Sequence, residues 1–228
     1  MLALLLAAAL AAPDDRAEFS KVGFYPLWEN TGSTLGHRHA LIGTGSFELG
    51  LGDRLQLGVR PQEFLFRSPN VHAKFQLYAQ GELELSAHAE VLLLLAGATS
   101  LFTSSNFVSR IDNSRGALWL VPLGTTLTWY PAEFAALHTT LTFLSAGGTG
   151  QPYYASVGLS TVLELRALQR HGLLLHAAEI GFWRHDLFLL GISYRLRLAW
   201  FATQLGYFYR FSRDGSQASP LLSLGVTL

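Results

Sequence analysis

Six polar side chains alternate with apolar ones along two adjacent segments, and they are the residues best placed to do chemistry. They occupy even-numbered positions between residues 71 and 91: His72, Lys74, Gln76, Glu84, His88 and Glu90. Side chains two residues apart on a strand share one face, so these six would line one surface. Two interpretations follow. The surface is either a polar track for an ion or small solute, or a set of mutually satisfied hydrogen bonds and ion pairs.

Other segments of the chain place charged and hydroxyl side chains in the same alternating pattern. The charged candidates for the polar surface are Glu48, Arg60, His138, Glu164, Glu179, Arg195 and Arg210. The uncharged candidates are Thr126, Thr128, Thr140, Thr142, Ser193 and Gln204. Because both signs of charge are interspersed, no strong selectivity for anions or cations is predicted.

The eight histidines raise the question of a metal site. His37 and His39 would share a strand face, but no third ligand stands nearby. The favoured interpretation is therefore that they are polar residues at the end of a strand and not metal ligands. His72, His88 and Glu90 have the side chains to surround a cation, and an ion-paired wall is the favoured interpretation. The chain has no cysteine, which excludes a thiolate metal site and a thiol nucleophile. No metal and no cofactor are predicted.

Hydrolytic chemistry would need a serine, a histidine and an orienting polar residue within hydrogen-bond reach of one another. Ser86 and His88 share a strand face, and Ser86 is expected opposite Gln76, but these side chains would point away from lipid. The sequence contains no G-x-S-x-G elbow and no Walker loop. A protein that is not an enzyme, without catalytic residues, is therefore predicted, and an enzyme acting on envelope lipids is the alternative.

The elements that would carry these residues have a period of two, which is typical of half-buried strands. Around a tight turn at Gly81, the alternation predicts that His72 pairs with Glu90 and Lys74 with His88. The predicted strands cover 41–51, 55–66, 71–79, 83–95, 117–130, 134–143, 153–166, 173–183, 188–194, 199–211 and 221–228. A further first strand is expected within 19–28, which makes twelve; Pro26 weakens that strand, so ten strands stay open. The fold predicted is an all-β, antiparallel up-and-down barrel with an even number of strands.

Aromatic residues concentrate near the predicted strand ends, whereas the middles are mostly Leu, Val, Ala and Gly. The rings expected to form two girdles are Phe64, Phe66, Trp119, Trp129, Tyr130, Tyr153, Trp183, Trp200, Tyr209 and Phe211. Two aromatic bands around an aliphatic belt are typical of strands that cross a membrane. A Lys or Arg facing lipid at the midplane costs about 2–4 kcal/mol, so the charged face is expected to line the lumen. Connections of alternating length predict that the short turns face the periplasm.

The amino terminus, MLALLLAAALAA, is apolar but too short to cross a bilayer, which needs about 20 apolar residues. Its small-x-small motif Ala9-Leu10-Ala11 predicts a cleavable signal peptide over 1–11. The remaining residues, 12–228, are then a barrel exported to the bacterial outer membrane. A charged fraction of 14% with zero net charge argues against a disordered chain and against a nucleic-acid partner.

The run GLGDRLQLGV, Gly50–Val59, followed by PNVHAKFQLY, Pro69–Tyr78, resembles a hairpin of bacterial outer-membrane barrels of poorly characterised function. The resemblance covers residues 35–78, and some of those barrels are grouped with transporters of aromatic-degradation operons. It implies a porin-like channel, or a transporter or binding protein for a small solute. Such families end in a strand with a terminal aromatic, whereas this chain ends in Leu228.

The partners expected for such a barrel are outer-membrane lipid, the barrel-assembly machinery and a small-molecule solute. A structural or adhesive barrel with a plugged lumen is the remaining alternative.

Overall fold

A computed structural model describes residues 32–35, 37, 39–44, 46–65, 67–96, 116–149, 151–168, 170–181, 187–198, 200–212 and 215–227. The signal peptide predicted over 1–11 and the first strand predicted within 19–28 lie outside these residues. In the described part of the chain, no helix has the length and apolarity to cross a bilayer.

Twelve strands of the described residues form one closed antiparallel barrel, in which neighbours in sequence are also neighbours in the wall. The elements are β1 Ala40–Gly43, β2 Phe47–Gly50, β3 Leu55–Val59, α1 Pro61–Leu65, β4 Asn70–Gln80, β5 Leu83–Leu94, β6 Leu118–Ala132, β7 Ala135–Gly148, β8 Gln151–Leu168, β9 His171–Ile180, β10 Leu187–Arg197, β11 Phe201–Ser212 and β12 Gly215–Thr227. The barrel closes where β1 pairs with β12, with Leu41 opposite Thr227. The prediction of an all-β, twelve-strand up-and-down barrel is confirmed, but the count is made up differently. Residues 41–51 contribute two strands instead of one, and the barrel closes between β1 and β12 without the strand predicted within 19–28.

The strands at the start of the barrel differ from those predicted. The strand predicted over 41–51 is two strands, β1 and β2, because the chain turns back where the Gly43 N–H donates to the Ser46 carbonyl at 2.9 Å. The strand predicted over 55–66 ends at Val59 and gives way to α1. Pro61 explains that end, since proline cannot donate to a strand ladder and is favoured in the first turn of a helix.

The β4–β5 hairpin has the predicted register, with His72 opposite Glu90 and Lys74 opposite His88. Its turn contains two residues, of which Gly81 has a φ of 59°, a left-handed conformation that favours glycine. The pairing shifts by one residue between Gln76 and Tyr78, which is a β-bulge. The extra residue in the bulge offsets the two-residue turn, so His72 still lies opposite Glu90 and Lys74 opposite His88 on one face of the hairpin.

The two ends of the barrel differ in their connections. At one end, here called the tight-turn end, short connections join β2 to β3, β4 to β5, β6 to β7, β8 to β9 and β10 to β11. The opposite, long-loop end carries α1 and the connections 95–117 and 181–186. The alternation of connection lengths in the sequence also predicts long connections at 144–152 and 212–219, but β7, β8 and β12 extend through most of these residues, so both connections are short. Ala40 and Thr227 both lie at the tight-turn end, because β1 starts there and β12 ends there.

The barrel wall is apolar outside and polar inside. Large apolar side chains on the outward positions are exposed, among them Leu49, Val71, Leu93, Leu127, Leu141, Leu175, Ile192 and Leu205. The intervening positions carry buried polar and charged side chains, with a smaller apolar layer of Leu92, Leu94, Leu118, Leu120, Leu144 and Leu189. A water-soluble barrel would show the opposite arrangement, with its apolar side chains in the core.

Candidate functional site in the barrel interior

The structure places most of the sequence-predicted polar residues inside the barrel. Those with buried side chains are Glu48, Arg60, His72, Lys74, Glu84, Glu90, His138, Glu164 and Arg195. Gln76, His88 and Arg210 are half-buried on the same inward face. Glu179 is the exception. It pairs with Phe188, an exposed residue, and therefore shares the outer face near the long-loop end, where a carboxylate can reach water.

One cluster of polar side chains joins β2, β3 and β4. Nε2 of His72 lies 2.8 Å from Oε1 of Glu48, and Nε2 of Gln56 donates to Oε2 of the same carboxylate at 2.8 Å. Gly58 lies between Glu48 and His72 as the register partner of both. A Cβ atom there would overlap both side chains, so the absence of a side chain at Gly58 makes the bridge across β3 possible.

A second cluster lies where β3 passes into α1. The Arg60 guanidinium donates to the Glu90 carboxylate, and the Arg60 backbone N–H donates to Oδ1 of Asn70 at 2.6 Å. Glu63, on α1, is completely buried and neither of its carboxylate oxygens accepts a hydrogen bond from the described residues. Burial raises the pKa of Glu63 from 4.5 to about 7, against the opposing effect of Arg60, with a smaller contribution from Glu90 in the same direction as burial.

A third cluster is centred on Glu164 of β8. The Arg195 guanidinium donates to Oε1 of Glu164, and Nε of Arg166 lies 4.0 Å from the same oxygen. Nε2 of His138 lies 3.6 Å from Oε2 of Glu164, while Nδ1 of His138 is 2.9 Å from the Thr128 hydroxyl. Removing one partner of such a buried pair is expected to be costly, because it leaves the other charge uncompensated.

A serine–histidine contact lies on the inward face of β9, β10 and β11. Nε2 of His176 is 2.9 Å from Oγ of Ser193, and Nε2 of Gln204 donates to that oxygen at 2.6 Å. The His176 ring packs on Phe208, with ring centroids 4.9 Å apart. Among the described residues, no carboxylate bonds to Nδ1 of His176, so this pair lacks the group that orients a catalytic histidine.

The four described residues 32–35, which precede β1, lie inside the barrel at its tight-turn end. The Ser33 hydroxyl donates to the Glu84 carboxylate, which also accepts from the Tyr130 hydroxyl at 3.0 Å. The Gly32 N–H donates to the Thr128 hydroxyl at 2.7 Å, and the Leu35 N–H donates to Oε1 of Gln56 at 2.9 Å.

Several residues of this interior were missed by the sequence analysis, although strand parity could have found some of them. Gln56 and His176 lie at inward positions of β3 and β9, and the alternation along these strands assigns both residues to the interior. No periodic signal marks Ser33, because it precedes the first strand, or Glu63, because it lies on a helix. Among the described residues, no three acidic or histidine side chains gather closely enough to hold a metal ion.

The rings predicted as girdles fall into three groups. Trp129, Trp200, Phe64, Tyr153, Tyr209 and Phe211 are exposed on the outside, and Trp119 is half-buried. Phe66 and Trp183 lie outside the described residues. Tyr130 corrects the prediction. It faces the interior, because consecutive strand residues point to opposite faces and its neighbour Trp129 points outward.

Comparison with known proteins gives no family assignment. No protein-family model matches the chain, and no curated protein matches it. Among solved structures, the chain is similar to a mutant of the ferric enterobactin receptor of Pseudomonas aeruginosa, with 11% sequence identity and a TM-score of 0.39. The match covers 85% of this chain but 42% of the receptor.

Proposed function

We propose that this chain is a membrane-spanning barrel of the bacterial outer membrane that passes a small polar solute through its lumen. The observation that supports this proposal is the inverted polarity of the wall, with exposed leucines and valines outside and buried charges inside. In water such an outer surface would cost free energy over its whole area, whereas in hydrocarbon it is the favoured surface.

The dimensions of the wall support the same proposal. Strands β4 to β12 contain 10 to 18 residues, and a tilted strand needs about 9–11 to cross the hydrocarbon region. Strands β1 to β3, with 4 to 5 residues each, cover only part of that thickness. We place the tight-turn end in the periplasm, since outer-membrane barrels have short periplasmic turns and long external loops. Lipid and the barrel-assembly machinery are then the partners of the outer wall and of the folding chain.

Passage would depend on the charged interior. Side chains of both signs can replace part of a solute's hydration shell as it moves along the lumen. In the conformation described, that interior is packed: the side chains of Lys74 and Glu164 are each only 1% exposed. Passage therefore requires interior groups to move.

This packing favours a second candidate function, a structural barrel whose interior is permanently filled. Conductance of the purified chain in planar bilayers distinguishes the two. A channel gives discrete conductance steps, and a structural barrel gives none under any voltage or pH at which it stays folded.

The charged interior can be tested in the same bilayers. Lys74→Gln is expected to shift the reversal potential in a salt gradient toward cation selectivity, because it removes a positive charge from the lumen. Glu82→Gln, in the exposed turn after β4, is the matched control and is expected to leave the reversal potential unchanged. Equal reversal potentials for both variants would contradict the assignment of Lys74 to the conducting path.

A further inference from the structure

The segment formed by residues 32–35 contacts a large part of the barrel mouth through hydrogen bonds. Its partners lie on β5 and β6, through Glu84 and Thr128, and on β3, through Gln56. The Thr34 hydroxyl also donates to the carbonyl of Asp53, in the turn between β2 and β3, at 3.1 Å. On β4, Nε2 of Gln76 donates to the Gly32 carbonyl at 3.5 Å. Four consecutive residues thus form hydrogen bonds to β3, β5 and β6, a longer one to β4, and one to the turn between β2 and β3.

These contacts are chemically complementary. The segment contributes two backbone N–H groups and two hydroxyls as donors, and the mouth contributes acceptors: a carboxylate, a hydroxyl, an amide oxygen and a backbone carbonyl. Ser33, Thr34 and Leu35 are all buried, with Leu35 1% exposed. Buried donors need partners, so the acceptors of the mouth compensate for the loss of water around this segment.

The fit is close at its first described residue. A Cβ atom on Gly32 would lie 2.6 Å from the carbonyl oxygen of Glu84 and 2.9 Å from its Cβ. Only glycine can approach the β5 backbone so closely. The segment therefore occupies a shaped seat, formed by Gln56, Glu84, Thr128 and Tyr130, at the tight-turn end of the lumen.

The segment lies outside the strand ladders of the wall. The described residues between it and β1 are anchored separately, since the His39 carbonyl accepts from the Gly50 N–H at 2.9 Å and Nδ1 of His37 accepts from the Gly52 N–H at 3.1 Å. β1 begins at Ala40, five positions after Leu35, and its pairing with β2 and β12 includes no residue of 32–35. The bonds that hold the segment are mainly to side chains, whereas the strands are held by backbone ladders. Loss of the seat would leave the ladders of all twelve strands intact.

We propose that residues 32–35 form a stopper at the tight-turn end of the lumen, which must leave the seat, together with movement of the packed side chains around Lys74 and Glu164, before a solute can pass. The proposal rests on the proposed channel function and adds the element that gates it.

One variant with two controls tests the seat. Thr128→Val removes the acceptor for the Gly32 N–H and also the hydroxyl 2.9 Å from Nδ1 of His138. Thr126→Val is the control for loss of an inward hydroxyl, since that hydroxyl bonds to Thr140 at 2.9 Å, and His138→Leu is the control for loss of the His138 contact alone. A buried donor left without its acceptor is expected to raise the population of the unseated state about tenfold. Open probability in planar bilayers should therefore rise about tenfold in Thr128→Val relative to Thr126→Val, by the same reasoning.

A second measurement follows the segment without relying on conductance. The chain has no cysteine, so Leu35→Cys gives one buried thiol in the stopper. Its reaction with a water-soluble maleimide is expected to be slow in the parent and in Thr126→Val, and about tenfold faster in Thr128→Val, if the unseated state is the reactive one.

A steric variant provides an independent test. Gly32→Ala places a Cβ atom 2.6 Å from the carbonyl oxygen of Glu84, so the segment can no longer occupy the seat. This variant is expected to raise both the labelling rate of the Leu35→Cys thiol and the conductance above those of the parent.

The outcomes separate the stopper from the channel. Parallel increases in labelling and conductance in Thr128→Val and Gly32→Ala, but not in the two controls, support the stopper. Rapid labelling already in the parent, or conductance unaffected by Gly32→Ala, overturns the stopper and leaves the channel standing. Faster labelling of Thr128→Val with no conductance in any variant overturns the channel, and with it the gating role of the segment.

Discussion

Nε2 of His72 lies 2.8 Å from Oε1 of Glu48, although the two residues belong to strands that are not neighbours. The strand between them, β3, contributes Gly58 at that level and so leaves room for the two side chains to meet. The interior of this barrel is thus held partly by side-chain bridges that reach over a glycine, in addition to the backbone ladder. Such a bridge couples the positions of β2 and β4 through polar contacts inside the wall.

Gly58→Ala is expected to destabilise the barrel, because the added methyl would overlap His72 and Glu48 and separate them. Overpacking of this kind costs about 1–3 kcal/mol. Gly225→Ala is the matched control, since a Cβ there would meet its nearest neighbour, Leu41, at an ordinary 3.4 Å. Denaturant unfolding from lipid vesicles, followed by tryptophan fluorescence, measures both. Equal midpoints for the two variants would contradict the steric role of Gly58.

The sequence predicts the wall of this barrel better than its contents. Period-two alternation is a local property, so it locates β4 and β5 and even the pairing of His72 with Glu90. It fails at β1 and β2. Apolar residues or glycines continue at every second position from 41 to 51, so the turn between Gly43 and Ser46 leaves no break in the pattern.

The contents depend on contacts between residues that are far apart in sequence. Ser33 reaches Glu84 across 51 positions, and Arg195 reaches Glu164 across 31. Alternation can assign such residues to a face, but it cannot say which of them meet, because that depends on barrel closure and strand stagger. Tyr130 shows the limit: its type suits a membrane girdle, while its parity, one residue after Trp129, places it inside.

Glu63 predicts a pH dependence of stability. Its pKa is raised to about 7 in the folded barrel, so between pH 4.5 and 7 the folded state holds a proton that the unfolded chain releases. The free energy of unfolding should therefore fall as pH rises through this range, and the loss should be complete above about pH 7. Thermal unfolding in detergent at pH 5 and pH 8 measures the effect.

Glu63→Gln keeps the shape of the side chain and removes its titration, so this variant should lose that part of the pH dependence. Its advantage over the parent should grow from pH 5 to pH 8. Glu82→Gln, in an exposed turn, is the control and should follow the parent. A pH profile for Glu63→Gln that matches the parent would show that this carboxylate is not the responsible group.

The outer wall offers a direct test of membrane embedding. Leu141 is 50% exposed and lies near the middle of β7, so the proposed function places it near the bilayer midplane. Leu141→Arg should then cost about 2–4 kcal/mol of stability in lipid vesicles. Leu65→Arg introduces the same charge on α1, where the leucine is 83% exposed at the long-loop end, and should have little effect. Similar small effects at both positions would place the wall in water.

The contact between Ser193 and His176 invites a test for hydrolysis, because the two groups have the separation of a nucleophile and its base. We expect no catalysis. Ser193 is 2% exposed, and its oxygen already accepts from Gln204, which leaves little access for an ester carbonyl. Release of fatty acid from phospholipid or lipopolysaccharide micelles should be the same for the parent, for Ser193→Ala and for the matched control Ser160→Ala, another buried inward serine. Hydrolysis that is lost in Ser193→Ala and kept in Ser160→Ala, with both variants as stable as the parent, would replace the channel proposal with the enzyme.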